Sequence, residues 1–298
     1  MDKTISAFRS PAGEAQYLAA YEVVLKEWPV PFEELYISTR FGETHVIASG
    51  PQEAAPLVLL HPSGAGATIW IRNVGALSQH YRTFAIDTIS EPNKSRLTRP
   101  IGLNQRRDFA DWMGDLLDGL HIEKTDMVGN SFGGFLTLNT ACFLPERIKK
   151  VALISPATTF VEMWAWSWHF IPTNMLAYAF HADGLLERPY AWIWQDFPVD
   201  DCLAHLRHMT AVAGRPRHWS PTVFADQELR QIRHPVLLLI GDHEVIYNAG
   251  AAIRRATRLV PHLKAEIVPN ANHNAQYTAP DAVNCRILQF LGAGAETH

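Results

Sequence analysis

The chain has 298 residues, 47% of them hydrophobic, with a formal net charge of −4 at pH 7. That length and apolar content can fill one large core, and a single α/β domain with an insertion fits them as well as two domains do. The acidic balance and the absence of a Lys/Arg run argue against nucleic-acid or anionic-membrane partners.

Residues about 12–28 read as an N-terminal amphipathic helix, with Tyr17, Leu18, Tyr21, Val24 and Leu25 at 3–4 spacing and Pro29 and Pro31 as stops. It is expected to pack on the outside of the domain. Glu34–Ser38 and Thr44–Ala48, joined at Phe41-Gly42-Glu43, predict an antiparallel hairpin. Pro56–His61 is a continuous apolar run, as expected of a strand covered on both faces. A loop of small residues, Pro62–Thr68, leads into a helix that runs to about Gln79. The strand Tyr81–Asp87 is followed by a loop from Thr88 to Pro100, then a helix over about 104–120 with a stripe of Phe109, Trp112, Met113, Leu116 and Leu117.

A further strand–turn–helix unit spans about residues 125–141, and the next strand runs over Lys150–Pro156. The rhythm then stops. Residues 157–230 hold no obvious buried strand but carry six of the nine Trp, which predicts a helical insertion. Strands return at Pro235–Gly241 and Ala265–Val268, with helices around 248–259 and 279–291. Apolar strands alternating with helices predict an α/β fold, a mostly parallel sheet flanked by helices with an antiparallel edge. The expected division is a core of residues 1–156 and 231–298, with 157–230 inserted in it.

In such sheets ligands bind at the carboxyl ends of the strands, and the chemistry-bearing residues fall there. Ser131 stands at the apex of Gly129-Asn130-Ser131-Phe132-Gly133-Gly134, between an apolar strand and a helix. Glycines at i−2 and i+2 let strand and helix backbones approach while the hydroxyl is presented over a helix N-terminus, the arrangement of a nucleophile. A serine needs a base within reach. His273 directly follows the last predicted strand, and its place in the order serine, acid, histidine fits that role. The acid that orients the base has two candidates in one loop, Asp242 and Glu244, with Asp87 a lesser one. The oxyanion needs two donors: the amide of Phe132 and the amide of Ser63 in the small-residue loop.

That loop lacks the Lys-Ser/Thr ending of a phosphate cradle and is no dinucleotide fingerprint. No metal-ligand spacing occurs, so neither metal nor cofactor is expected. Cys142, Cys202 and Cys285 lie far apart, which predicts buried free thiols in a reducing compartment. Residues 1–6 open no apolar stretch of signal-peptide length, so a cytoplasmic protein is expected.

From about residue 33 to 292 the chain resembles the α/β-hydrolase family, through His61 and its loop, Gly129–Gly134, Gly241-Asp242-His243-Glu244 and His273. The resemblance implies that the acid stands three residues after the glycine closing its strand. This selects Glu244 over Asp242. It also implies that 157–230 is a helical cap over the site. His61-Pro62 departs from the family's usual His-Gly; proline has no N–H, but the usual donor, the following residue Ser63, survives. Among subfamilies the chain looks most like small bacterial carboxylesterases.

Hydrolysis of a small or apolar carboxylic ester through an acyl-enzyme on Ser131 is therefore the expectation. The cap aromatics Trp164, Trp168 and Trp192 are candidates to line the pocket. Gly-Asn-Ser-x-Gly-Gly also occurs in hydrolases that cleave C–C bonds of ring-fission products, for which Arg188 would bind the substrate carboxylate. An aminopeptidase would use acidic cap residues such as Glu162 and Asp183, and a non-turnover ligand receptor could use the same fold. Dehalogenases and epoxide hydrolases are disfavoured because they place Asp at the nucleophile position.

Overall fold

The computed structural model describes residues 4–102, 105–163, 168–169, 172–173, 176, 185, 188–195, 197–214 and 221–293. Among these residues nine strands form one sheet. The hairpin is β1 (Phe32–Thr39) and β2 (Gly42–Ser49), antiparallel from Phe32↔Ser49 to Thr39↔Gly42. β3 (Pro56–Leu60), β4 (Arg82–Ile86), β6 (Thr125–Asn130), β7 (Ile148–Ile154), β8 (Val236–Gly241) and β9 (Leu263–Val268) are parallel neighbours. The order is β1-β2-β4-β3-β6-β7-β8-β9, and β5 (Arg96–Leu97) adds to β2. β5 lies within the stretch expected to be loop; two residues carry no readable alternation.

Side chains alternate across each strand, so an apolar run feeds two cores at once. Val58 and Leu60 of β3 pack with Phe109 and Trp112 of α3 (Gln105–Gly119) and Leu136 of α4 (Phe132–Phe143). Leu57 and Leu59 face the opposite layer, with Tyr17 and Val24 of α1 (Pro11–Lys26) and Val74 of α2 (Ile71–Leu77). α1 starts where Ser10 accepts the Gly13 amide at 3.1 Å and Pro11 occupies the first turn. Its Tyr17 and Tyr21 are fully buried, so α1 is an integral part of the second core.

Between β7 and β8 the described residues form α5 (Arg188–Trp194), α6 (Asp201–Ala213) and α7 (Asp226–Gln231) and no strand. α6 packs on α1, where Arg9 donates its amide to Ala213 O and its Nε to Gly214 O. Behind β8 come α8 (Ala249–Leu259), the short α9 (Ala275–Thr278) and α10 (Pro280–Leu291). All three cysteines are free. Cys285 is exposed, not buried as expected, because it sits on the outward side of α10. No helix of the described residues is long and apolar enough to cross a membrane.

Candidate active site

Parallel strands end on one edge, which brings the segments after β3, β4, β6, β8 and β9 together. After β6 the backbone turns sharply. Ser131 has φ 51° and ψ −114°, a left-handed conformation that costs a non-glycine residue about 1–3 kcal/mol. The turn closes on both sides: a Cβ on Gly129 would stand 2.2 Å from Gly133 O, and one on Gly133 would stand 2.1 Å from Leu60 O. Only glycine fits either position. The strain is held by backbone bonds, with the Ser131 amide donating to Ile154 O and the Ser131 carbonyl accepting from Phe135 and Ala157. Phe132 is the first residue of α4, where the helix itself supplies no acceptor for an amide.

The histidine loop is tied to this turn by the residue before the serine. Asn130 Nδ2 donates to His273 O at 3.0 Å and to Ile154 O at 3.1 Å, and its Oδ1 accepts from Gln276 Nε2. His273 Nδ1 meets Glu244 Oε2 at 2.7 Å, with both side chains almost fully buried. The other Glu244 oxygen accepts the Ile246 amide at 2.8 Å. A carboxylate at Nδ1 places the ring proton there and leaves Nε2 as the basic nitrogen. Nε2 is buried with no hydrogen-bond partner among the described residues, so it is available to a hydroxyl. Nε2 and the Ser131 hydroxyl do not form a hydrogen bond with each other; catalytic hydrogen bonds of this kind commonly tighten only in the Michaelis or transition-state complex. The buried Tyr247 ring stands edge-on to the imidazole at 6.3 Å, and burial, then the Glu244 charge, push its hydroxyl well above its ordinary pKa.

Asp242 does different work. Its oxygens accept the amides of Asn270 and Ala271, each at 3.0 Å. Partial burial would raise this carboxyl, but those two amides hold it below its ordinary value. Asp87 is bonded elsewhere: it accepts His45 Nδ1 at 2.8 Å and the Ala67 amide at 2.7 Å.

The loop after β3 is held at several points. His61 Nδ1 faces Pro62 O at 2.8 Å and must donate, while Nε2 faces the Thr88 amide at 2.9 Å and must accept. These partners assign a neutral ring protonated at Nδ1. Pro62 O also accepts from Ala65. Glu91, buried in the segment after β4, accepts Ser63 Oγ at 3.2 Å and the Gly64 amide at 2.8 Å. The Ser63 amide has no acceptor among the described residues.

A sequence profile of the α/β hydrolase fold matches residues 55–280. The chain belongs to the α/β-hydrolase family. Within it, the chain is 39% identical to carboxylesterase YbfK of Bacillus subtilis over 94% of each chain. It is 38% identical to the uncharacterized carboxylesterase nap of the same organism over 93% of each. The crystal structure of naproxen esterase from Bacillus subtilis superposes with a TM-score of 0.85 at 37% identity, covering 95% of this chain and 99% of that one.

The aromatics singled out from the sequence of this α/β hydrolase fare unevenly. Trp192 is half-buried and stacks on His169 at 4.0 Å, whereas Trp168 is 72% exposed. Trp164 and Asp183 lie outside the described residues, and Arg188 and Glu162 are exposed. A cavity of about 590 Å³ lies beside the acid loop, lined by Phe160, Val161, Val245, Ile246, Tyr247 and Arg255 among others. Ser131 does not line it. Sequence reasoning missed the couplings of Asn130 and Glu91. Asn130 was within the motif, but its partners lie 24 and more residues away; Glu91 carried no signal beyond being an acid after a strand.

Proposed function

We propose that this α/β hydrolase is a serine carboxylesterase. Ser131 Oγ attacks the ester carbonyl while His273 Nε2 takes its proton. The amides of Phe132 and Ser63 hold the oxyanion, and the alcohol leaves with the proton from His273. Water, deprotonated by the same imidazole, then cleaves the acyl-enzyme. Glu244 holds the ring and stabilises the imidazolium that forms in each half-reaction. The observation that carries this reading is the buried 2.7 Å His273–Glu244 pair on a loop that Asn130 ties to the strained serine turn. The carboxylesterase names of the relatives agree with it. In this reading residues 157–230 form the lid, and Trp192 and its neighbours shape an apolar substrate site beneath it.

The test is turnover of p-nitrophenyl butyrate beside a lactone, an aminoacyl amide and a ring-fission dienone. The ester is the expected substrate, with Ser131→Ala lowering kcat by at least about 1,000-fold. A fluorophosphonate probe should label the wild type and fail on Ser131→Ala and His273→Ala. Full ester turnover by Ser131→Ala overturns the reading, and preference for the dienone or the amide moves the activity to that bond.

A further inference from the structure

The Ser63 amide is aimed by two neighbouring peptide units. Its N–H shares a planar peptide with Pro62 C=O and points opposite to it. That carbonyl is fixed by the His61 Nδ1 proton and the Ala65 amide. The next peptide, Ser63–Gly64, is fixed by Glu91 through the Gly64 amide, at a glycine with φ +74°. Glu91 also holds the side chain of Ser63 itself. Ser63 is exposed while Glu91 is 1% exposed, so the buried carboxyl is the anchor and the loop the part it restrains. At its far end the loop is pinned again, by Asp87 on the Ala67 amide. With Pro62 unable to donate, the Ser63 amide is the first backbone donor after His61, and its direction depends on those anchors.

We infer that Glu91 is a positioning residue for catalysis: it holds the Ser63 amide on the line of the developing oxyanion, acting through the loop without touching substrate. This rests on the esterase reading above. An oxyanion donor counts only within about 2.7–3.1 Å of where the charge develops. A loop that drifts by a fraction of an ångström therefore loses stabilisation in the transition state more than in the bound ester. The signature is a fall in kcat with little change in KM.

The experiment compares wild type, Glu91→Met, Glu91→Gln and Ser63→Ala with p-nitrophenyl butyrate. Rates are expressed per serine labelled by a fluorophosphonate, which removes any unfolded fraction. Met keeps the volume and loses both acceptors; its kcat should fall 10- to 100-fold with KM within threefold. Gln can accept from the Gly64 amide and donate to Ser63 Oγ, and should keep kcat within threefold. Ser63→Ala removes one anchor bond at an exposed residue and should lower kcat severalfold with KM unchanged; it decides the matter if Glu91→Met does not fold. Binding of an aryl trifluoromethyl ketone, which forms an oxyanion-bearing adduct with Ser131, should weaken by the factor that kcat/KM loses. A residue of purely structural importance would lower the labelled fraction and leave kcat per labelled serine and ketone affinity unchanged; that result overturns the inference. Loss of activity in Glu91→Gln equal to that in Glu91→Met also overturns it. A wild type that hydrolyses no ester is a failure of the esterase reading instead, and the same variants can then be compared by their rate of fluorophosphonate labelling.

Discussion

Two carboxylates two residues apart in one loop carry different loads. Glu244 spends both oxygens on the base and its own loop, one on His273 Nδ1 and one on the Ile246 amide. Asp242 uses both on the backbone of the segment that delivers His273, one on the amide of Asn270, which itself has φ 54°, and one on the amide of Ala271. Glu244→Gln should keep the geometry but offer the imidazole a neutral partner that cannot stabilise its charge, and kcat should fall by about 1,000- to 10,000-fold. Asp242→Asn leaves one oxygen for two amides. It should cost about 1–2 kcal/mol of stability, with kcat per folded molecule within about threefold of wild type. Kinetics and thermal unfolding of the two variants separate these effects. A larger kcat loss in Asp242→Asn would exchange the two roles.

At the scale of elements, α1 is a strut between the sheet and the inserted helices. Gly13 lies where α1 meets the end of α6; a Cβ there would stand 3.1 Å from Ala213 Cβ. Gly13→Leu should wedge the two helices apart and cost about 1–3 kcal/mol as overpacking. The damage should appear as a lower Tm and faster proteolysis within 201–213, while the Ser131 turn keeps its reactivity toward a fluorophosphonate. Equal loss of labelling and stability would show that α1 supports the site itself. The period of Tyr17, Tyr21 and Val24 made α1 readable as a helix, but not what covers it. Burial by a segment almost 190 residues later leaves no trace in local spacing. The parallel strands were legible for the opposite reason: Leu57 to Leu60 must be apolar throughout, because consecutive side chains enter different cores. The site divides the same way. Ser131 and His273 were legible as candidates because chemistry and strand ends confine them. Glu91 was not, because its contact with Ser63 and Gly64 is made by two loops crossing in space.

Across the whole molecule, one cluster joins the core to the insertion. Arg72 of α2 donates to both oxygens of Asp200, just ahead of α6, and its guanidinium lies 4.1 Å over the ring of Tyr277 on α9. Tyr277 closes the triangle by donating its hydroxyl to Asp200 and accepting the Asp200 amide. Burial first, then the bond to the Asp200 carboxylate, push the Tyr277 hydroxyl up to about 12. In the unfolded chain a tyrosine loses its proton near pH 10, about two units earlier. Below that pH, as long as Asp200 is ionised in both states, both hold the tyrosine proton and the bond contributes fully. Between about 10 and 12 the unfolded state binds fewer protons than the folded one, so this contribution falls as pH rises. Tyr277→Phe removes the bond and its pH dependence together, while the other tyrosines titrate equally in both proteins. The Tm advantage of wild type over Tyr277→Phe should therefore be constant from about pH 5, where Asp200 is ionised in both states, to about pH 10, and shrink steadily above it. A gap that stays flat or widens through that range would mean that Tyr277 does not couple the insertion to the core through its proton.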